Sequence, residues 1–350
     1  MTSPKDVRAF RRSLLRWFRR HGRDLPWRKT RDPYAILVSE FMLQQTQVAT
    51  VIPYYNKWLR RFPDFASVAR ASQNDVLHGW QGLGYYNRAR NLHAASKIVQ
   101  DRHRGIFPGD IAAIRKLPGI GRYTANAVAT FAFHQPVPIV ETNTARLLAR
   151  LFDMRAPIDS AIGSEKLWKS AAQLVSRRNA ARFNSALVDL GALVCLPDKP
   201  KCKVCPVKKF CRARNPQALP IKKSKPRTNR LIERHALVVN NGKILLEQSS
   251  SRWRGMWILP RLALDGLKPS SSQRRPVYEL VFPFTHHRIT LAVYRRGAPK
   301  RIAAGQQWFG SIDHIAMPSP HRRAADALVT KLLFSAKQAA RPRPHQSSEW

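Results

Sequence analysis

The chain has 350 residues, enough for two or more domains with cores of their own. Its 62 Lys and Arg against 21 Asp and Glu leave a formal charge of +41, which calls for a polyanionic partner whose binding weakens with salt. The sequence has no long apolar run, signal-peptide core or lipidation motif, so DNA or RNA is expected rather than a membrane surface.

The first predicted helix runs from Asp6 to His21 and turns Phe10, Leu14, Leu15, Trp17 and Phe18 inward. Its RAFRRSLLRWFRR stretch is rich in arginine, but Asp6 and the smooth run into a domain favour an amphipathic helix over a transit peptide. Asp24-Leu25-Pro26-Trp27-Arg28 is a turn. Asp32 and Pro33 then read as N-cap and first residue of the helix YAILVSEFMLQQT. Glu40 lies there among Ile36, Leu37, Phe41 and Met42, where desolvation would raise the pKa of a carboxyl. Further helices are predicted near 47–61, 73–80 and 86–102, separated by Pro63, Gly82, Gly84 and Gly105. The segment GLGYYNRARNL sets aromatic rings beside arginines, a pattern suited to stacking on bases and holding phosphates.

The densest signal is LPGIGRYTANAVATFAFHQPVPIVETNTARLLAR, residues 117–150. Gly119 and Gly121 form a turn with free amides at the start of a helix from Tyr123 to about Phe133, an arrangement suited to a phosphate oxygen. A proline-rich crossing delivers Glu141, Thr142 and Asn143 to a second helix, 144–152, whose dipole favours an ionised carboxylate. Helices near 160–175 and 182–194 complete an all-helical half. Cys195, Cys202, Cys205 and Cys211 follow with spacing C-x6-C-x2-C-x5-C. Four thiolates in a short basic loop suit zinc or a cubane iron–sulfur cluster, and zinc more often uses two C-x2-C pairs. Residues 214–230 are basic and proline-bearing, a predicted linker. Beyond them HALVVN and KILLEQS flank an Asn-Gly turn, then PVYELVF, ITLAVYR and a helix near 321–337 define a small α+β domain at 231–338. Residues 339–350 are predicted to be a disordered tail.

The 117–150 stretch resembles the helix-hairpin-helix and following acid of DNA base-excision glycosylases. With LPWR, VSEFMLQQTQV, GLGYYNRARNLHAA, FNSALVDLGALVC and the cysteine loop, residues 6–215 are similar to the MutY-type adenine glycosylases of the endonuclease III-like superfamily. The resemblance implies a mainly α helix-hairpin-helix domain with a [4Fe–4S] loop over residues 1–213, and a C-terminal Nudix-like α+β domain. RWRGMWILP and FPFTHHRITLAVY carry the latter likeness. The missing Glu-rich metal-binding helix argues against pyrophosphatase activity, and the segment between Pro260 and Val277 is shorter than in the family.

The same resemblance assigns Glu40 as the acid that protonates the leaving adenine and Glu141 as the carboxylate beside the sugar, with Tyr123 and Asn143 bonded around them. Trp27 and Arg28 would line the adenine pocket. Gln45 and Tyr85 would wedge into the stack, Gly119 and Gly121 grip the backbone, and Thr285 and His286 meet 8-oxoguanine. Asp189 stands where the family often has Glu. Tyr123 replaces the lysine of strand-cleaving relatives, implying a monofunctional enzyme. The expected partner is duplex DNA with adenine opposite 8-oxoguanine or guanine, bound by a cytoplasmic, nucleoid-associated monomer. Two departures stand out: Glu141 for the family's Asp, and Thr142 for Gly. A mismatch thymine or uracil glycosylase, and a binding protein that has lost catalysis, are the alternatives.

Overall fold

The computed structural model describes residues 4–224, 228–262 and 275–328. The helices, in chain order, are α1 (Pro4–His21), α2 (Pro33–Leu43), α3 (Val48–Arg61), α4 (Phe65–Arg70), α5 (Gln73–Gly79), α6 (Asn87–His103), α7 (Ile111–Arg115), α8 (Arg122–Phe131), α9 (Thr142–Leu151), α10 (Ala161–Leu174) and α11 (Ala180–Leu193). The strands are β1 (Asn229–Leu237), β2 (Val239–Asn240), β3 (Lys243–Gln248), β4 (Trp257–Ile258), β5 (Tyr278–Phe284), β6 (His287–Arg295) and β7 (Gln306–Phe309).

The chain divides into two compact units. The first takes Met1–Ala71 and Asn87–Lys225, the second Ser72–Tyr86 and Pro226–Trp350. The expected contiguous domain 1–213 is therefore corrected at α5. Within the second unit, the Asn74 amide bonds His314 O and Ala316 N at 3.3 Å each, and Gln81 Oε1 accepts from Met317 N at 3.2 Å. The start of the expected 214–230 linker is corrected too. Leu219 is buried, and Ile158 N and Lys223 N donate to Ile221 O and Asp159, fastening residues 214–224 to the first unit.

In the first unit α2 is apolar nearly all round, and every residue from Tyr34 to Met42 is buried. A helix of that kind belongs in the middle of a core. Asp32 starts it by accepting from Tyr34 N (3.0 Å) and Ala35 N (3.2 Å). Beside it α1, α9, α10 and α11 share a second core around Phe10, Leu14, Leu148, Phe183 and Leu190. Leu15, Trp17 and Phe18 pack only partly against that core. Short helices α4 and α7 escape periodicity because they span one or two turns. Each is held by an aspartate cap, Asp64 on Ser67 N and Asp110 on Ala113 N.

In the second unit β6 joins β1 in parallel and β5 antiparallel. β3 pairs with β2, β4 and β7, all antiparallel. The Asn241-Gly242 turn between β2 and β3 forms as expected, both residues at positive φ (46° and 72°). The strand before it differs: HALVV is split, and β1 starts at Asn229 and belongs to the other sheet. Residues 319–328 are helical and bury Ala324 and Ala325 against Leu237, Leu291 and Val293. The rest of the expected 321–337 helix, the 339–350 tail and most of the shortened 260–277 segment lie outside the described residues.

Candidate active site

Glu40 is set on the buried helix α2 and is only 4% exposed. Burial pushes its carboxyl up to about 7, against a hydrogen bond from Tyr123 that lowers it and the nearby charge of Glu141 that raises it further. Its Oε2 has no hydrogen-bond partner and so stands available to a ligand. Tyr123, one residue into α8, donates to Glu40; burial and the two carboxylates hold its phenol well above its ordinary range.

The turn before α8 places its backbone for close approach. Gly119 sits at φ +74°, and a Cβ there would collide with the Asn91 side chain. Gly121 is the N-cap of α8, with no side chain capping the helix and open space where a Cβ would lie. Uncapped amides at a helix start bind anions.

Glu141 is the N-cap of α9, which begins two residues earlier than expected. Its Oε2 accepts from Asn143 N and its Oε1 from Thr144 N, both at 2.7 Å, and the Thr144 hydroxyl adds a contact at 3.2 Å. Asn143 Oδ1 accepts from Arg146 at 2.8 Å. Gly191 of α11 lets this corner approach: a Cβ would lie 2.8 Å from Asn143 O.

Trp27 is buried edge-on to Tyr55, with ring centroids 5.4 Å apart. Arg28 forks onto Asp189 with two bonds of 2.8 Å, and Arg23 adds two more from Nε and its backbone amide. Burial works to raise the Asp189 carboxyl, but the bonds and charges of Arg28 and Arg23 outweigh it and hold it low. Trp27, Arg28, Glu40, Gln45, Tyr123, Glu141 and Asn143 all line one cavity of about 1080 Å³. Its size matches or exceeds the roughly 300–1,000 Å³ usual for small-molecule sites. Gln45 is exposed and holds a left-handed backbone at φ 57°.

The remaining expected residues lie in the second unit. Tyr85 is 44% exposed at φ 47°, whereas its neighbour Tyr86 is core. Thr285 and His286 form the exposed two-residue turn between β5 and β6, with Thr285 at φ 50°. Phe284 beside them lies under the Arg252 guanidinium, 4.8 Å from its ring centre.

The four cysteines are free thiols in one loop. Among the described residues no group of three or more His, Cys, Asp or Glu side chains is already gathered around a metal position. They are nonetheless electrostatic neighbours. Burial pushes the Cys205 thiol up to about 11, and Cys195, Cys211 and Cys202 push in the same direction. Arg150 donates to Cys195 Sγ at 3.3 Å, supplying a buried cation beside the sulfur.

Residues 38–173 match the model of the HhH-GPD superfamily base excision DNA repair proteins. The adenine DNA glycosylase of Rattus norvegicus is 45% identical over 217 residues, 59% of this chain but only 42% of that protein, so the matched part spans less than half of its length. That of Buchnera aphidicola subsp. Acyrthosiphon pisum is 33% identical over 258 residues, covering 72% of this chain and 74% of the relative. The chain belongs to the adenine DNA glycosylase family. Among solved structures, a thermostable thymine-DNA glycosylase superposes with TM-score 0.56 at 32% identity, over 59% of this chain and 96% of its own. The helical fold of the first unit is thus that of the superfamily.

For this adenine DNA glycosylase family member, Glu40, Tyr123, Glu141 and Asn143 all fall within the superfamily match, while the cysteines and the strands lie beyond it. Sequence reasoning missed the buried arginines that fix the site. Arg146 bridges Asn143 Oδ1 to Cys195 O and Gly191 O, and Arg150 binds Leu196 O and Pro197 O. Their spacing of four on the face of α9 that carries Leu147 and Leu151 was the available signal.

Proposed function

We propose that the protein removes adenine paired with 8-oxoguanine or guanine in duplex DNA and leaves an abasic site. The carrying observation is a buried acid poised near pH 7, Glu40, which lines one cavity of about 1080 Å³ together with the Glu141 carboxylate. Adenine must first leave the stack, because its glycosidic bond is inaccessible inside the helix. Protonated Glu40 gives its proton to the departing base as the C1′–N9 bond breaks. Glu141 stabilises the oxocarbenium-like sugar, and a water adds at C1′ and loses a proton. Tyr123 bonds Glu40 and offers no amine for a Schiff base. The uncapped start of α8 grips a phosphate, and Gln45, held at positive φ, occupies the gap in the stack. The second unit, read as Nudix-like, presents Thr285 and His286 to 8-oxoguanine.

The cysteine loop fits a [4Fe–4S] cluster by its chemistry: four neighbouring thiols can ionise together only around a strongly positive core. Such a cluster would shape the basic loop carrying Lys199, Lys201, Lys203 and Lys208. Anaerobically purified protein is expected to be brown with four iron atoms per chain; a colourless or zinc-loaded protein overturns this assignment.

The test of the activity uses duplexes with A, T or U opposite 8-oxoguanine or guanine. Abasic sites should appear only opposite adenine, revealed by alkali, with no nick beforehand and no borohydride-trapped adduct. Release of thymine or uracil instead would favour the second reading, which the likeness to a thymine-DNA glycosylase supports.

A further inference from the structure

Helix α2 ends abruptly at the active site. Its C-cap, Gln44, leaves the helical region (φ −59°, ψ 110°), and Gln45 then enters the left-handed one. A helix that stops this way strands its last carbonyls, which must find donors if they are buried. Thr46 N takes Leu43 O at 3.3 Å. Phe41 O and Met42 O, with Gln44 O just past the helix, are taken by one side chain from α6. Arg88, 4% exposed, donates from Nη1 to Phe41 O (2.9 Å), Met42 O (2.6 Å) and Gln44 O (2.5 Å), and from Nη2 to Thr46 Oγ1 (3.1 Å).

We infer that Arg88 is the positioning residue of the Gln45 turn: its guanidinium ties the end of α2 to Thr46 and so holds Gln45 in the pose that displaces a stacked base. The terminal carbonyls of a helix carry partial negative charge, which a buried cation neutralises. Only a planar fork reaches carbonyls and a hydroxyl on both sides of Gln45 at once; a lysine ammonium cannot. Left-handed backbone at a non-glycine residue is strained and persists only where its surroundings over-determine it. A turn serving the fold alone would relax that strain with Gly or Asn. Here an exposed glutamine bears it, at a cavity that also holds Glu40. The inference rests on the excision reading for what Gln45 does, and its test separates the two.

Arg88→Lys is to be compared with the parent on three readouts. Fluorescence of 2-aminopurine in place of the target adenine reports extrusion without excision. Single-turnover excision is measured on adenine paired with 8-oxoguanine, and again on adenine already unpaired in a bulge. The variant should lose about a hundredfold on paired adenine but no more than about threefold on the bulge, because a misplacement of about 1 Å costs that much only where the wedge is needed. The extrusion signal should fall with it. In a Gln45→Ala background the same substitution should cost nothing further. Thr46→Val, which deletes the bond from Arg88 Nη2, should move every readout the same way by less, and serves where Arg88→Lys does not fold. Equal losses on both substrates, or additive losses with Gln45→Ala, would make Arg88 a support of the fold and overturn the inference. A parent that extrudes 2-aminopurine yet leaves every adenine in place would overturn the excision reading and spare this one.

Discussion

Glu40→Gln is expected to lower adenine excision by about 10²–10⁴-fold, the range that a positioned general acid supplies. The amide keeps the shape of the side chain and the contact with Tyr123 but has no proton to give. Binding of mismatched duplex should change little, since the group is buried in the cavity lining and not on the basic surface. In the parent, the acid form is the active one, so the excision rate should hold below pH 7 and fall about tenfold per unit above it. A parent whose rate rises steadily through pH 7–9 would remove Glu40 from the role of acid.

The same substitution should stabilise the protein. Glu40 has a folded-state pKa of about 7 against 4.5 for the free side chain. Between those values the native state binds more protons than the unfolded one, so stability falls as pH rises, and the loss is complete above 7. Its size is on the order of 3 kcal/mol, from about 1.4 kcal/mol per pKa unit. Gln is neutral throughout. The variant should therefore unfold at a higher temperature than the parent at pH 8, and the gap should close near pH 4. A variant less stable than the parent at pH 8 would mean that Glu40 is held by its surroundings and not strained by them. Opposed effects on rate and stability are what a group kept for chemistry produces.

Much of this site was legible because its signals are local. Asp32-Pro33 caps α2, the apolar run around Glu40 reports its burial, and the glycines at 119 and 121 mark the hairpin. Ser160 and Val175 bound α10 as the sequence suggested. The misses have a common cause. α5 and the turn after it join the second unit through Asn74, His78 and Gln81, polar side chains bonded to backbone more than two hundred residues away. β1 pairs in parallel with β6, a partner that no turn residue announces. Arg88, Arg146 and Arg150 are buried on backbone carbonyls, and a carbonyl is invisible in a sequence. In a chain with 62 Lys and Arg, each of them reads as surface charge. Glu141 was placed at the start of a helix where an N-cap was the plainer reading, but the helix begins two residues earlier than the sequence suggested.

That capping role decides what Glu141→Gln should do. The methylene by which Glu exceeds the family's Asp is spent in curling the carboxylate back over the first turn of α9, where both oxygens accept from Asn143 N and Thr144 N. Gln can meet one of those amides with its oxygen, but its NH₂ then faces the other donor. The lost cap costs about 1 kcal/mol of stability, too little to unfold a domain of this size. The chemical loss is larger, because the variant has no anion to place beside a developing sugar cation. Excision should drop about 10³-fold, near the upper end for a deleted electrostatic partner in a preorganised site. A second readout separates chemistry from capping. The charge of Glu141 raises the Glu40 pKa, so its removal should move the alkaline fall in residual activity to lower pH. Glu141→Asp keeps the charge and is a better cap, so it should retain or exceed the parent rate with the parent's pH profile. If Glu141→Gln excises adenine as fast as the parent while losing only thermal stability, then Glu141 is a cap alone. The sugar cation would in that case be stabilised elsewhere in the cavity.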